Sequence, residues 1–170
     1  LSTDSSYQAS PPIPLAYFIH QKKTEADHQL FWKFIKDQKP EIEFKCFVMT
    51  DNECAIRNAI KSQMPQIKLY RCWNHLWRSI NDWLSKCGKV RSPDLMGFYT
   101  ETTRELLLQP TKAHFDELLN RRMHGHVDDY NNQTKTWETF YTEYFMKNIM
   151  PDIEGIACYS IKANCGNLFN

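Results

Sequence analysis

The stretch "MTDNECAIRNAIKSQMPQIKLYRCWNHLWRSI", Met49–Ile80, decides how the rest of the chain is read. The run "FKCFVMT" (Phe44–Thr50) is apolar enough for a strand, and it ends at Asp51. In "NECAIRNAIKS", Ile56, Ala59 and Ile60 fall on one face of a helix that Pro65 breaks. "IKLYRC" (Ile67–Cys72) then reads as a second short strand, followed at once by Cys72-Trp73-Asn74-His75. A carboxylate thus closes one strand and a Cys-x2-His closes the next. In open α/β sheets the carboxyl ends of strands border the functional crevice, so both motifs are candidates for one site.

Upstream, "IPLAYFIH" (Ile13–His20) predicts a buried strand, and "TEADHQLFWKFIKDQ" (Thr24–Gln38) an amphipathic helix. That helix carries Leu30, Phe31, Phe34 and Ile35 and stops before Pro40. The pattern to this point is β-α-β-α-β, the mark of a layered α/β domain. From His75 onward the periodicity is helical. Trp77, Ile80 and Leu84 share a face, as do Phe115, Leu118, Leu119 and Arg122, and Trp137, Phe140, Tyr141, Tyr144 and Phe145 follow. The polar "RRMHGHVDDYNNQTK" (Arg121–Lys135) reads as the loop between the last two. The expected division is an α/β core over residues 1–75, an all-helical region over 76–157, and a short closing segment over 158–170.

The chain has 170 residues, 42% hydrophobic and 24% charged, with 5 Gly, which suits one globular domain with a sizeable core. A net charge of +1 neither demands nor excludes nucleic acid, because a basic groove can be balanced by acids elsewhere. No apolar run approaches the ~20 residues of a membrane span, so no membrane partner is expected. The chain opens without Met and can be read as a fragment of a longer protein. Cys46, Cys54, Cys72, Cys87, Cys158 and Cys165 form no Cys-x-x-Cys and no tight framework, which points to a reducing compartment, cytosol or nucleus.

Taken singly, the site candidates stay open. Asp51 could hold Mg²⁺, which prefers oxygen ligands. Equally, Thr50-x-x-Glu53 has the spacing of a capping box, and Asp51 suits a helix start. Cys72 and His75 could supply two ligands to Zn²⁺, but a closed site needs four, and only the loop pair His124 and His126 offers candidates. His75 falls with Arg78 on the polar side of its helix. Arg71 and Arg78 suit a phosphate-facing surface, or Arg78 simply pairs with Asp82 one turn on. Asp4, in "LSTDSSYQ", reads alone as turn chemistry.

Together these residues resemble a known family. "FVMTDNECAIRNAIKSQMPQIKLYRCWNHLWRSINDWL" (Phe47–Leu84) resembles the centre of Mutator-like (MULE) transposases: an apolar strand, Thr-Asp-x-Glu, a helix with Ala-Ile, a Pro, a short strand and Cys-x2-His. "LSTDSSYQ" resembles the family's first catalytic strand, and "PPIPLAYFIHQKKTEADHQLFWKFI" the strand and helix after it. "YTEYFMKNIMPDI" resembles the end of its helical insertion, and "KANCGNLFN" the segment of its last acid. The resemblance implies a ribonuclease-H-like fold with a helical insertion, a nuclear protein, and a DDE catalytic core that cuts and joins DNA. Three carboxylates would hold two Mg²⁺ or Mn²⁺ ions about 3.5–4 Å apart, activating the attacking oxygen and stabilising the leaving one. Asp4 would be the first acid and metal ligand, Asp51 the second, and Cys72 and His75 the family's Cys-x2-His. Arg71 and Arg78 would face DNA, the partner being transposon ends and target, and pairing two ends admits a homo-oligomer.

Two departures qualify that picture. Aligned on Phe169-Asn170, the third-acid position holds Asn167, which offers a carbonyl oxygen but no charge; Glu154 is the acid nearest at hand to replace it. Few residues separate "TDSSYQ" from "PPIPLAYF", so either the sheet would lack one antiparallel strand or a deletion has brought the two catalytic pieces together. The expectation is therefore a degenerate or partial transposase core. The alternative is a transposase-derived nuclear protein that binds DNA or a protein partner without catalysis.

Overall fold

The computed structural model describes residues 14, 16–19, 21–88, 90–124, 137 and 139–165. It is a mixed α/β structure, mostly helical, with one two-stranded parallel sheet. Helix α1 (Glu25–Gln38) starts at Thr24, whose extended backbone and side-chain oxygen, accepting from the Asp27 N–H at 3.2 Å, form a standard N-cap. A single helical turn, α2 (Ile42–Lys45), leads into strand β1 (Phe47–Thr50). Helix α3 (Cys54–Gln63) crosses to strand β2 (Lys68–Arg71), and the strands pair in parallel from Phe47 opposite Lys68 to Thr50 opposite Arg71. The helix–strand alternation read from Met49–Ile80 is present, with each strand shorter than its apolar run.

Two expectations are corrected. Phe44 and Lys45, read as strand, lie in α2. There Glu43 is buried, accepting the Gln66 N–H at 3.0 Å and pairing with Lys36 at 3.0 Å, which holds its carboxyl below the usual range. These contacts tie Glu43 to α1 and to the turn before β2, and the turn that makes them leaves only Phe47–Thr50 to pair. The strand expected over Ile13–His20 is not formed by its described residues: Pro14 and 16–19 carry no strand, and Tyr17 and Ile19 are exposed. Prolines at 11, 12 and 14 each lack the N–H that a ladder needs.

Beyond β2 every described element is helical. Helix α4 (Trp73–Lys86) buries Leu76, Ile80 and Leu84; α5 (Pro93–Leu107) and α6 (Lys112–His124) pack after it. A π-helical segment, Phe140–Phe145, runs into the short α7 (Met146–Asn148), then a 3₁₀ segment, Met150–Gly155, and α8 (Cys158–Cys165). The aromatic stripe is core, as its spacing suggested: Trp137, Phe140, Tyr141, Tyr144 and Phe145 are all buried. Its backbone is wider than the α-helix expected, and its rings pack closely, Trp137 tilted against Tyr141 at 4.8 Å and Phe140 edge-on to Tyr141 at 5.0 Å between centroids.

One apolar core, from Leu76 to Ala157, fills the helical part. A much smaller one, Ile60, Met64 and Ile67 with Trp32 and Val48 against it, lies between α1, α3 and the sheet. The two parts meet where the 3₁₀ segment returns along β2. A Cβ on Gly155 would stand 2.9 Å from the Leu69 carbonyl oxygen, so only glycine lets the backbones approach this closely. No helix of the described residues is long and apolar enough to cross a membrane.

Candidate functional site at the strand ends

Because β1 and β2 run parallel, their last residues sit side by side, and the chain places Asp51 and Cys72 immediately beyond them. The returning segment closes the third side with Pro151 and Asp152. Between them lie two adjoining cavities. One, of about 220 Å³, is bordered by Asp51, Arg57, Lys61, Arg71, Asp152 and Glu154. The other, of about 610 Å³, opens outward past Asp51, Arg71, His75, Arg78, Tyr144 and Lys147. Asp51, Asn52, Arg71, Pro151 and Asp152 border both, so this is one crevice at the carboxyl ends of the strands.

The Asp51 carboxylate accepts from the Glu53 N–H at 3.4 Å and from the Thr50 hydroxyl at 3.3 Å. Asp51, one of the two helix-start candidates in the sequence, thus holds the N–H of the N-cap residue Glu53, and the expected Thr50–Glu53 capping box is not formed, as α3 has no side-chain cap. That contact engages Oδ1, and the residue still borders the crevice. Cys72, half-buried, is the N-cap of α4, and its N–H donates to the Thr50 carbonyl at 2.8 Å, tying the two strand ends together. His75 and Arg78 are exposed on the polar side of α4, as their spacing indicated. Asp82 pairs with Lys86 at 3.5 Å rather than with Arg78, leaving the Arg78 charge free to face the crevice.

Arg71 is only 8% exposed although it carries a full charge. One guanidinium N–H donates to the Asn148 carbonyl at 3.0 Å, while its Nε is buried without a partner. Desolvation pulls its pKa below the ordinary arginine value, with Tyr144 and Asp152 opposing that. Tyr144, against it, is pushed up to about 12 by burial. Across the crevice Arg57 grips Asp152 with two hydrogen bonds, of 2.6 and 2.7 Å. Arg57 holds the Asp152 carboxyl below its ordinary 3.8, and Asp152 in turn raises Arg57. Arg57 also donates to the Asn52 side-chain oxygen.

Mg²⁺ or Mn²⁺ would need several oxygens converging on one point. Among the described residues no three of His, Cys, Asp and Glu are grouped to hold an ion. Asp51 borders the crevice, but Asp152 is engaged by Arg57, and Glu154 is exposed at the margin of the smaller cavity. The described residues do not by themselves fit a two-ion centre. Asp4, the expected first acid, and Asn167, at the third-acid position, lie outside the described residues, as does His126. Among the described residues Cys72 and His75 gather none of the further ligands that zinc requires.

Compared with known proteins, the chain matches no family model, no curated protein and no solved structure.

Of the residues singled out in the sequence, Asp51, Arg71, His75 and Arg78 border the crevice and Cys72 borders neither cavity; Arg57 and Asp152, which do border it, were not singled out. Arg57 stands among apolar neighbours of a helix that read as core, and Asp152 is 95 positions away from it. The local signal was the "Pro-Asp" of a turn, with nothing to mark its partner.

Proposed function

We propose that the chain is the core of a Mutator-like, ribonuclease-H-like DDE transposase, impaired in strand transfer, whose strand-end crevice faces DNA in the nucleus. The observation that carries this reading is the parallel β1–α3–β2 unit that brings Asp51 and His75 to one crevice, with Arg71, Arg78 and Lys147 along it and Cys72 at the neighbouring strand end. Exposed cations around a groove favour a phosphate backbone by releasing its counterions. Mg²⁺ or Mn²⁺, if bound through Asp51 and Asp4, would supply Lewis-acid stabilisation of charge at phosphorus. Within the chain, Asp51 would offer its carboxylate, Arg71 and Arg78 would hold and orient phosphates, and the Thr50–Cys72 hydrogen bond would fix the spacing of the two strand ends. Asn167 in place of a third carboxylate removes one negative charge from the ion-binding set, and this is the reason to expect little or no transfer.

The test combines duplex binding with a strand-transfer assay in Mn²⁺. Salt-sensitive binding without transfer is the expected outcome. Robust transfer by the unaltered chain would overturn the impairment, and absence of any DNA binding would overturn the reading as a whole.

The second reading, a non-enzymatic transposase-derived protein, is favoured by one observation: the Arg57–Asp152 pair neutralises a carboxylate in the middle of the crevice. The two readings separate on Asp51→Ala. If Mn²⁺ raises the melting temperature of the wild type and not of this variant, metal chemistry is retained. If DNA binding is unchanged by the substitution and Mn²⁺ has no effect, the scaffold reading stands.

A further inference from the structure

We propose that Arg57 and Arg71, with Asn52 beside them, form a site for a phosphate oxyanion, and that the carboxylate of Asp152 is its internal occupant. Arg57 addresses Asp152 through two parallel N–H···O contacts of 2.7 and 2.6 Å, the fork geometry with which arginine takes up carboxylate and phosphate alike. The guanidinium nitrogen that meets Asp152 Oδ2 also donates to the Asn52 side-chain oxygen. Arg71 borders the same two cavities as Asp152, with no carboxylate hydrogen-bonded to it.

A charged arginine only 8% exposed as a residue is costly unless something offsets its desolvation. A single neutral carbonyl, from Asn148, is a weak offset. The buried Nε has no partner at all. Arg71 thus brings to the crevice a positive charge that no carboxylate engages by hydrogen bond. Asp152 is borne on the 3₁₀ segment Met150–Gly155, which lies along β2 and is not part of the sheet. Displacing this carboxylate leaves the strands paired. The larger cavity beside it, of about 610 Å³ and rimmed by Arg78 and Lys147, gives an incoming phosphate both room and a path. Asp152 and the ligand compete for the same donors, so the resting protein would bind oxyanions weakly and exchange one carboxylate for one phosphate.

The site stands on its own geometry. Its natural ligand, a phosphodiester of DNA, rests on the reading above; a free phosphate monoester offers the same chemistry. The test is calorimetric titration of wild type and Asp152→Asn with inorganic phosphate, and with a short duplex that lacks terminal phosphates. Removing the internal carboxylate should tighten inorganic phosphate by roughly tenfold or more, the worth of one charge-assisted contact. A matching gain for the duplex assigns the site to backbone phosphates. A gain for inorganic phosphate alone keeps the site and assigns it to a free monoester, and in that case the DNA reading fails while the site survives. A folded Asp152→Asn with no gain for either ligand overturns the proposal. Should that variant fail to fold, nuclear magnetic resonance of the wild type decides: high phosphate must move the side-chain signals of Arg57 and Arg71 ahead of those of the exposed Arg121, and uniform or absent shifts overturn it.

Discussion

The helical part of the molecule and its α/β part solve the same burial problem to different degrees. In the helical part, α4, α5, α6 and the π-helical segment close on one another, and rings such as Phe140, between Trp83, Tyr99 and Tyr144, are wholly buried. Among the described residues of the α/β part, only Ile60, Met64 and Ile67 form a buried cluster. Leu30 and Phe34 of α1, and Phe47 and Met49 of β1, stay exposed. A two-stranded sheet with one flanking helix pair has too few layers to cover both faces. The larger buried core thus lies in the helices, while the candidate crevice lies at the edge of the thinner unit, which meets them through Arg71 to the Asn148 carbonyl, Trp73 to the Ile156 carbonyl, Arg57 to Asp152 and the close approach at Gly155.

That division can be broken at its strongest point. Phe140→Ala removes a fully buried ring from the large core and should cost about 3–5 kcal/mol, read as a lowered midpoint in denaturant. A loss near zero would mean that the helical core does not carry the fold. At the seam, Gly155→Ala pushes a Cβ to 2.9 Å from the Leu69 carbonyl oxygen, backbone that cannot swing aside. A cost of about 1–3 kcal/mol is expected, together with changed amide shifts at Leu69–Arg71.

Asp152 gives a pH signature to the same seam. Its folded pKa lies below the ordinary 3.8, because Arg57 stabilises the carboxylate. The contribution is present in full above the unfolded value, and it is lost as pH falls through 3.8 toward the lower folded value. Asp152→Asn should flatten the stability profile in that acid window and leave its shape above pH 5 unchanged. An unaltered acid limb would mean that the pair does not form. The smallest effect belongs to the thin unit's outer face: Phe34→Ser, on an exposed position, should change stability by within about 0.5 kcal/mol. A loss approaching that of Phe140→Ala would show that this face is covered in solution.

How much of this was legible follows from how local each signal is. Thr24 and Pro40 bracketed α1, Pro65 ended α3, and the faces of Ile60 and of the Trp137–Phe145 stripe stood in the periodicity. The α2 turn did not, because Glu43 joins it through Lys36 and the distant Gln66 N–H. The apolar run Ile13–His20 promised burial, but among its described residues Tyr17, Phe18 and Ile19 are exposed, and Pro14 lacks the N–H a ladder needs. At the site, Asp51, Cys72 and His75 were legible because strand ends are local features. The π-helical backbone and the Arg57–Asp152 clamp were not, since each depends on partners that only tertiary packing supplies.

The central claim is that the strand-end crevice, and not the helical part, faces nucleic acid. The most direct measurement is the salt dependence of duplex binding for wild type, Arg78→Ala at the crevice, and Arg121→Ala on α6, which borders neither cavity. The account predicts that Arg78→Ala weakens binding and lowers the slope of log K against log salt by roughly one, while Arg121→Ala leaves both unchanged. Equal effects from the two substitutions, or an effect from Arg121 alone, would contradict it.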